Sequence, residues 1–115
     1  MDSYQKIDRV LEYLQEKIHA QFQLHQFRIL LMLAARHPDP VAYADIEKRL
    51  NLSNAAVSRN TKLMGTNMQK NKDGGWVDTG MHLVEVKPDV YETRRNIIAL
   101  TGKGRKVMTG LKKLI

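Results

Sequence analysis

The stretch Asp45-Ile46-Glu47-Lys48-Arg49-Leu50-Asn51-Leu52-Ser53-Asn54-Ala55-Ala56-Val57-Ser58-Arg59-Asn60 decides the fold. Ile46 and Leu50 lie one helical turn apart and predict a short helix over residues 43–50. Residues 51–53 form a tight turn, and a second helix begins near Asn54 and fades around Gly65. Two helices joined by a short turn are the helix-turn-helix pattern.

The second helix of this pattern has two different faces. Ser53 or Asn54 can cap its N-terminus, and the spacing of Val57, Thr61 and Met64 predicts its buried side. The opposite side carries small residues, a hydroxyl and two cations, namely Ala55, Ser58, Arg59 and Lys62. Such a face suits the major groove of DNA, where arginine can contact guanine and hydroxyls or amides can bind phosphate or base edges. A solvated helix without a ligand would show the same residues.

A basic β-hairpin follows the two helices. Met81–Lys87 alternates apolar and polar residues with one break, and Asn96–Leu100 is a second, more apolar strand. The charged tip spans Pro88–Arg94. A ribbon in this position is a wing, and Arg94 at its tip would lie against the minor groove. An exposed charged turn is the alternative interpretation.

The remaining segments complete one domain over residues 1–115. Two N-terminal helices are expected within 1–36, the second ending before His37-Pro38. The helix-turn-helix spans 43–66, the wing 81–100, and a helix capped by Thr101 spans 101–115. The predicted fold class is mainly α with a small β-hairpin (α+β), a winged helix-turn-helix.

Composition limits the function. The net charge is +7 and the cations crowd the later part of the chain, which favours a nucleic-acid partner. Cysteine is absent, and no apolar run is long enough to span a bilayer. The start of the chain lacks the layout of a signal peptide, so we expect a cytoplasmic protein without a membrane partner.

Catalytic and metal-binding motifs are also missing. Gly102-Lys103-Gly104-Arg105 lacks the spacing of a phosphate-binding loop, and we expect no enzyme and no cofactor. The histidines do not lie one helical turn apart, so no metal site is expected: His19, His25, His37 and His82.

Residues 45–60 resemble the helix-turn-helix of MarR-type winged-helix regulators. Leu83-Val84-Glu85, Pro88-Asp89, Glu92-Thr93-Arg94-Arg95 and Leu100-Thr101-Gly102-Lys103-Gly104 resemble the wing of that family. The resemblance implies a salt bridge in which Glu92, standing where the family has aspartate, orients Arg94. It covers about residues 41–111.

Three features depart from the family. Thr61 stands where an aliphatic residue is usual, about a dozen extra residues from Asn67 to Gly80 include Trp76, and the chain stops soon after the helix that follows the wing. Family members usually continue into a second long C-terminal helix, so their dimer and effector pocket cannot be carried over whole.

The resulting expectation is sequence-specific binding of double-stranded DNA by a transcriptional regulator, a repressor of the MarR type. The alternatives are a mobile-element protein acting in replication or partition, and a winged helix that binds protein. The expected DNA contacts are Ser53, Asn54, Ala55, Ser58, Arg59, Lys62, Lys87, Arg94 and Arg95. A homodimer is expected through an apolar seam comprising Tyr4, Ile7, Leu11, Leu14, Ile18, Leu111, Leu114 and Ile115.

Overall fold

Helices and short strands alternate along the chain in a computed structural model that describes residues 2–92 and 94–115. Met1 and Thr93, the latter part of the quoted wing motif, lie outside the described residues. The elements are α1 (Ser3–Lys17), α2 (Leu24–Arg36), β1 (Val41–Ala42), α3 (Tyr43–Leu50), α4 (Asn54–Met64), β2 (Met68–Lys70), β3 (Trp76–Asp78), β4 (Val84–Pro88), β5 (Asn96–Leu100) and α5 (Gly102–Lys112). The α+β winged helix-turn-helix prediction is confirmed.

The wing belongs to a three-stranded antiparallel sheet with the order β1-β5-β4. In the register of the hairpin, Val84 pairs with Leu100 and Pro88 with Asn96. On the other edge of β5, Val41 pairs with Ile98. We call the end of the hairpin at Val84 and Leu100, away from its tip, the wing root. Sequence analysis did not predict β1, which joins the wing root to the start of α3.

A second hairpin, β2–β3, occupies the predicted insertion. Met68 pairs with Asp78, and Lys70 with Trp76. The turn signal over residues 71–75 is confirmed, since Asn71 Oδ1 accepts hydrogen bonds from the backbone N–H groups of Asp73 (3.0 Å) and Gly75 (2.8 Å). The strands on either side of this turn were not predicted.

The core is built around α2, which contacts α3, α4, α5, β1 and β5. Its buried side chains meet the inner faces of the helix-turn-helix and of the sheet. The members that are almost completely inaccessible to solvent include Ile29, Leu30, Val41, Ile46, Val57, Met64 and Ile98. Burial of this apolar surface is the main stabilising contribution to the fold.

Helix ends follow the predicted capping chemistry. Ser53 Oγ accepts from the N–H of Ala56 (3.1 Å), so Ser53 and not Asn54 caps α4. Thr101 Oγ1 accepts from the N–H of Gly104 (3.1 Å) and donates to the carbonyl of His82 (2.6 Å). Asn51 ends α3 in the left-handed region with φ 55°, a conformation that asparagine tolerates better than most residues.

Glycine in α5 allows a close approach to the sheet. A Cβ atom at Gly104 would collide with the backbone carbonyl of Leu83 and crowd the side chain of Leu100. The sequence shows only that glycine lowers helix propensity here, whereas the structure shows that it brings α5 against the wing root.

The predicted dimer seam is divided between the core and the surface. Leu14 and Leu111 are only 2% and 4% exposed within the protomer, because α1 packs against α5. These two residues therefore stabilise the protomer itself, which corrects their assignment to the interface. Ile18 and Leu114 are half-buried, whereas Tyr4, Ile7, Leu11 and Ile115 are exposed.

Candidate nucleic-acid interface

Helix α4 presents the predicted polar face to solvent. Asn54, Ala55, Arg59 and Lys62 are exposed and Ser58 is half-buried. Val57, Thr61 and Met64 are fully buried on the other side, as their spacing predicts. The helix therefore presents two cations, small side chains and groups that can donate and accept hydrogen bonds along one accessible face.

A buried hydrogen bond between two side chains holds α4 against α3. Tyr43 Oη lies 2.6 Å from Thr61 Oγ1. Thr61 Oγ1 also donates to the carbonyl of Ser58 (3.1 Å), so the arrangement that satisfies both contacts has the Tyr43 hydroxyl donating to Thr61. Burial raises the pKa of Tyr43, and the hydrogen bond to Thr61 opposes part of that rise. Thr61 is thus the acceptor for a buried tyrosine, which explains the departure from an aliphatic residue.

The wing carries the second group of predicted residues. Its tip is closed by the N–H of Asp89 donating to the carbonyl of Arg95 (2.8 Å) and the N–H of Arg95 donating to the carbonyl of Glu92 (2.9 Å). Lys87 lies in β4, and its ammonium group is 3.1 Å from a Glu85 carboxylate oxygen. Arg94 is exposed at the tip.

The wing salt bridge differs from the expected pair. Glu92 Oε2 lies 3.7 Å from a guanidinium nitrogen of Arg95, not of Arg94. The turn places residues 92 and 95 across from each other through their backbone hydrogen bond, and the longer glutamate side chain reaches the residue three positions on. This corrects the Glu92–Arg94 pairing, and within residues 2–92 and 94–115 no carboxylate lies within 4.0 Å of the Arg94 guanidinium.

A groove runs between the exposed face of α4 and the β2–β3 hairpin. Its walls include Asn54, Ala55, Ser58, Arg59, Lys62, Leu63, Asn67 and Gln69. Sequence analysis missed Asn67 and Gln69 as members of this surface. The available signal was the turn at 71–75, because a tight turn implies that the chain returns beside its own preceding residues.

The described part of the chain forms neither a metal-ligand cluster nor a membrane-spanning helix. Residues 2–92 and 94–115 contain no group of three or more histidine and carboxylate side chains that could hold a metal ion. Over the same residues, each helix is too short or too polar to cross a membrane.

No protein-family profile matches the sequence, and no curated protein matches it. Several solved structures share its fold. The Staphylococcus aureus MepR–DNA complex has a TM-score of 0.68 at 23% identity over 96% of this chain and 73% of that chain. Haem-free PefR gives 0.63 at 18% identity over 96% and 84%, and the transcriptional regulator PcaV of Streptomyces coelicolor gives 0.60 at 15% over 96% and 69%. At these identities the likeness concerns the fold, and the chain has the winged helix-turn-helix fold of MarR-type regulators.

Proposed function

We propose that this chain is a sequence-specific double-stranded DNA-binding protein, a transcriptional repressor of the MarR type. The observation that carries the proposal is the exposed polar face of α4, with Arg59 and Lys62, in a fold shared with a MepR structure solved on DNA. A positive net charge of +7 supplies the long-range attraction to phosphate.

In the proposed docking, α4 enters the major groove. Arg59 donates two hydrogen bonds to a guanine, while Ser58 and Asn54 contact phosphate or a base edge. Ser53 and Ala55, at the start of the helix, allow close approach of the backbone to the DNA. Lys62 contacts a phosphate farther along the same face.

The wing is proposed to contact the adjacent minor groove. Arg94 enters the groove, where a narrow A·T-rich segment has an enhanced negative potential. Lys87 and Arg95 bind the flanking phosphates, for which they exchange their contacts with Glu85 and Glu92. Both existing ion pairs are solvent-exposed, and such pairs contribute little stability. Replacing them with contacts to phosphate therefore costs little free energy.

We also propose a homodimer, because one winged helix contacts little DNA and two-fold symmetry extends the site. Residues 1–36 and 101–115 would supply the contact, with residues 43–66 and 81–100 facing DNA. Tyr4 is 85% exposed, Ile7 60% and Leu11 46% on one side of α1, and Ile115 is 79% exposed. Sedimentation equilibrium at micromolar concentration tests this, and a monomer mass with one protected half-site in footprinting would contradict it.

The location that fits this proposed role is the cytoplasm.

A salt titration tests the DNA proposal directly. If about six to ten phosphates are neutralised, the slope of log K against log salt lies at about −5 to −9. Fluorescence anisotropy with a labelled duplex, repeated at several salt concentrations, measures this slope. A slope near zero would refute the proposal.

A further inference from the structure

The β2–β3 hairpin exposes an unusual mixture of side chains. Trp76 is 66% exposed, Met68 51% and Val77 44%. Trp76 pairs with Lys70 across the two strands, so the indole and the ammonium group share one face. Gln69 points to the opposite face, which is the wall of the groove beside α4.

The base of this hairpin is fastened by a carboxylate. Asp78 Oδ1 accepts from the backbone N–H groups of Asn67 and Gly80, both at 2.9 Å, and Asp78 Oδ2 lies 3.0 Å from His82 Nε2. The N–H of Thr79 donates to the carbonyl of Asn67 at 2.8 Å. These contacts hold the two arms of the hairpin together at the base.

The hairpin is also fixed relative to α4. The N–H groups of Met81 and Leu83 donate to the carbonyls of Leu63 and Met64, at 3.0 and 2.8 Å. A Cβ atom at Gly80 would collide with the backbone carbonyl of Gly65, so glycine permits close contact between the hairpin base and the end of α4. A position set by so many backbone contacts requires little reordering when a ligand binds.

The charges that remain accessible on the hairpin are mostly positive. Lys70 lies on β2 and Lys72 in the turn, and both are exposed. Asp78 is engaged by two backbone N–H groups and by His82. Asp73 at the tip is the remaining carboxylate of residues 67–80. Below its tip the hairpin therefore presents one cation, Lys70, next to an aromatic ring, and the turn adds Lys72 beside Asp73.

We infer that the β2–β3 hairpin is a second DNA-contacting ribbon, lying beside α4 on the side of the shared groove. The inference rests on the proposed function. Gln69 faces the DNA groove that α4 enters. On the opposite face of the ribbon, Lys70 and Trp76 contact the sugar–phosphate backbone that borders this groove, and Lys72 in the turn binds a further phosphate. Lysine ammonium groups bind backbone phosphates of duplex DNA, and an aromatic ring beside them offers an apolar surface for the deoxyribose. Through Gln69 the shared groove connects the hairpin to the surface proposed for Arg59 and Lys62, whereas Lys70 and Trp76 lie on the opposite face of the ribbon.

Trp76 is itself the probe, because it is the single tryptophan of the chain. The experiment titrates the full-length protein with a duplex selected from a random pool while following tryptophan emission and acrylamide quenching. DNA contact removes Trp76 from solvent, so quenching by acrylamide is expected to fall at saturation. Anisotropy of the labelled duplex measures binding independently in the same samples.

A double variant tests the phosphate contacts. Lys70→Ala with Lys72→Ala is expected to make the salt slope less steep by about 2 and to weaken binding about 10- to 30-fold near physiological salt. Lys6→Ala with Lys17→Ala removes the same charge from exposed positions on α1. By helical periodicity both lysines lie away from the side formed by Tyr4, Ile7 and Leu11, so the dimer and the salt slope should stay unchanged. Far-UV circular dichroism verifies that both variants fold.

The outcomes separate this inference from the proposed function. Absence of salt-dependent anisotropy in the wild-type protein would remove both. Normal DNA binding with unchanged quenching of Trp76 and a wild-type slope for the Lys70/Lys72 variant would overturn the hairpin's role alone. A change in Trp76 emission that follows protein concentration and not DNA would assign the hairpin to contact between copies, and would also overturn it.

Discussion

A double-mutant cycle on Tyr43 and Thr61 tests how the helix-turn-helix is held together. Thr61→Val keeps the shape of the side chain but leaves the Tyr43 hydroxyl, in a residue only 6% exposed, without its acceptor. An unsatisfied buried hydroxyl costs about 1–3 kcal/mol. The Ser58 carbonyl also loses its donor, although it retains access to the helical hydrogen bonds of α4.

Tyr43→Phe is expected to cost less. The Thr61 hydroxyl still donates to Ser58, so no buried donor is left without a partner, and the loss should be about 0.5–1.5 kcal/mol. In the double variant both hydroxyls are gone, and the penalty for the orphaned tyrosine disappears. The double variant should therefore be more stable than the sum of the single effects predicts, by about 1–2 kcal/mol.

Urea unfolding followed by circular dichroism measures the four free energies of unfolding. The m-values should stay equal, because none of the substitutions changes the surface exposed on unfolding. Free energies that add to within about 0.3–0.5 kcal/mol would show that the two hydroxyls do not interact, and would refute the explanation given for Thr61.

Three further outcomes are expected. The folded pKa of Tyr43 is raised, so its contribution to stability is complete below pH about 10 and is lost as pH rises through the folded pKa. The free energy of unfolding should therefore fall less steeply with alkaline pH in Tyr43→Phe than in the wild-type protein. Identical pH profiles would contradict this. Gly104→Ala should destabilise the protein by about 1–3 kcal/mol, because the new methyl group collides with the Leu83 carbonyl. The control Gly102→Ala makes only an ordinary contact with Arg105 and should be near neutral in thermal unfolding. Arg59→Ala should relax base preference at one position per half-site and lose about 1–3 kcal/mol of binding free energy. Arg94→Ala should weaken binding where the DNA flanking the half-site is A·T-rich. Anisotropy on altered duplexes measures both effects, and unchanged binding of all duplexes by both variants would refute the docking.

The sequence predicted the helix-turn-helix because its helices show strong contrast between faces. Val57, Thr61 and Met64 recur at helical spacing, and Ser53 and Thr101 have the capping chemistry that the structure confirms. The wing strands were predictable because Met81–Lys87 alternates apolar and polar residues with one break and Asn96–Leu100 is a short apolar run. The first strand begins later than predicted, at Val84, and the second has the predicted bounds.

The elements that escaped prediction are too short to show a period. Strand β1 has two residues, and β2 and β3 have three each. Pairings set by tertiary structure also escaped. Thr61 finds its partner in Tyr43, 18 positions away, and Glu92 reaches Arg95 because of the turn geometry. The apolar seam of α1 predicts a buried face but cannot tell which of its residues the protomer itself covers, as Leu14 shows.

Strand β1 couples two parts of the molecule mechanically. Val41 and Ala42 pair with β5 and run directly into Tyr43 at the start of α3, so the wing root and the helix-turn-helix share a continuous backbone support. A force that tilts α3 is transmitted to β5 without an intervening flexible joint. The spacing between α3 and β5 should therefore stay constant during any rearrangement of the domain. Hydrogen exchange should accordingly show β1 and β5 opening together as one cooperative unit.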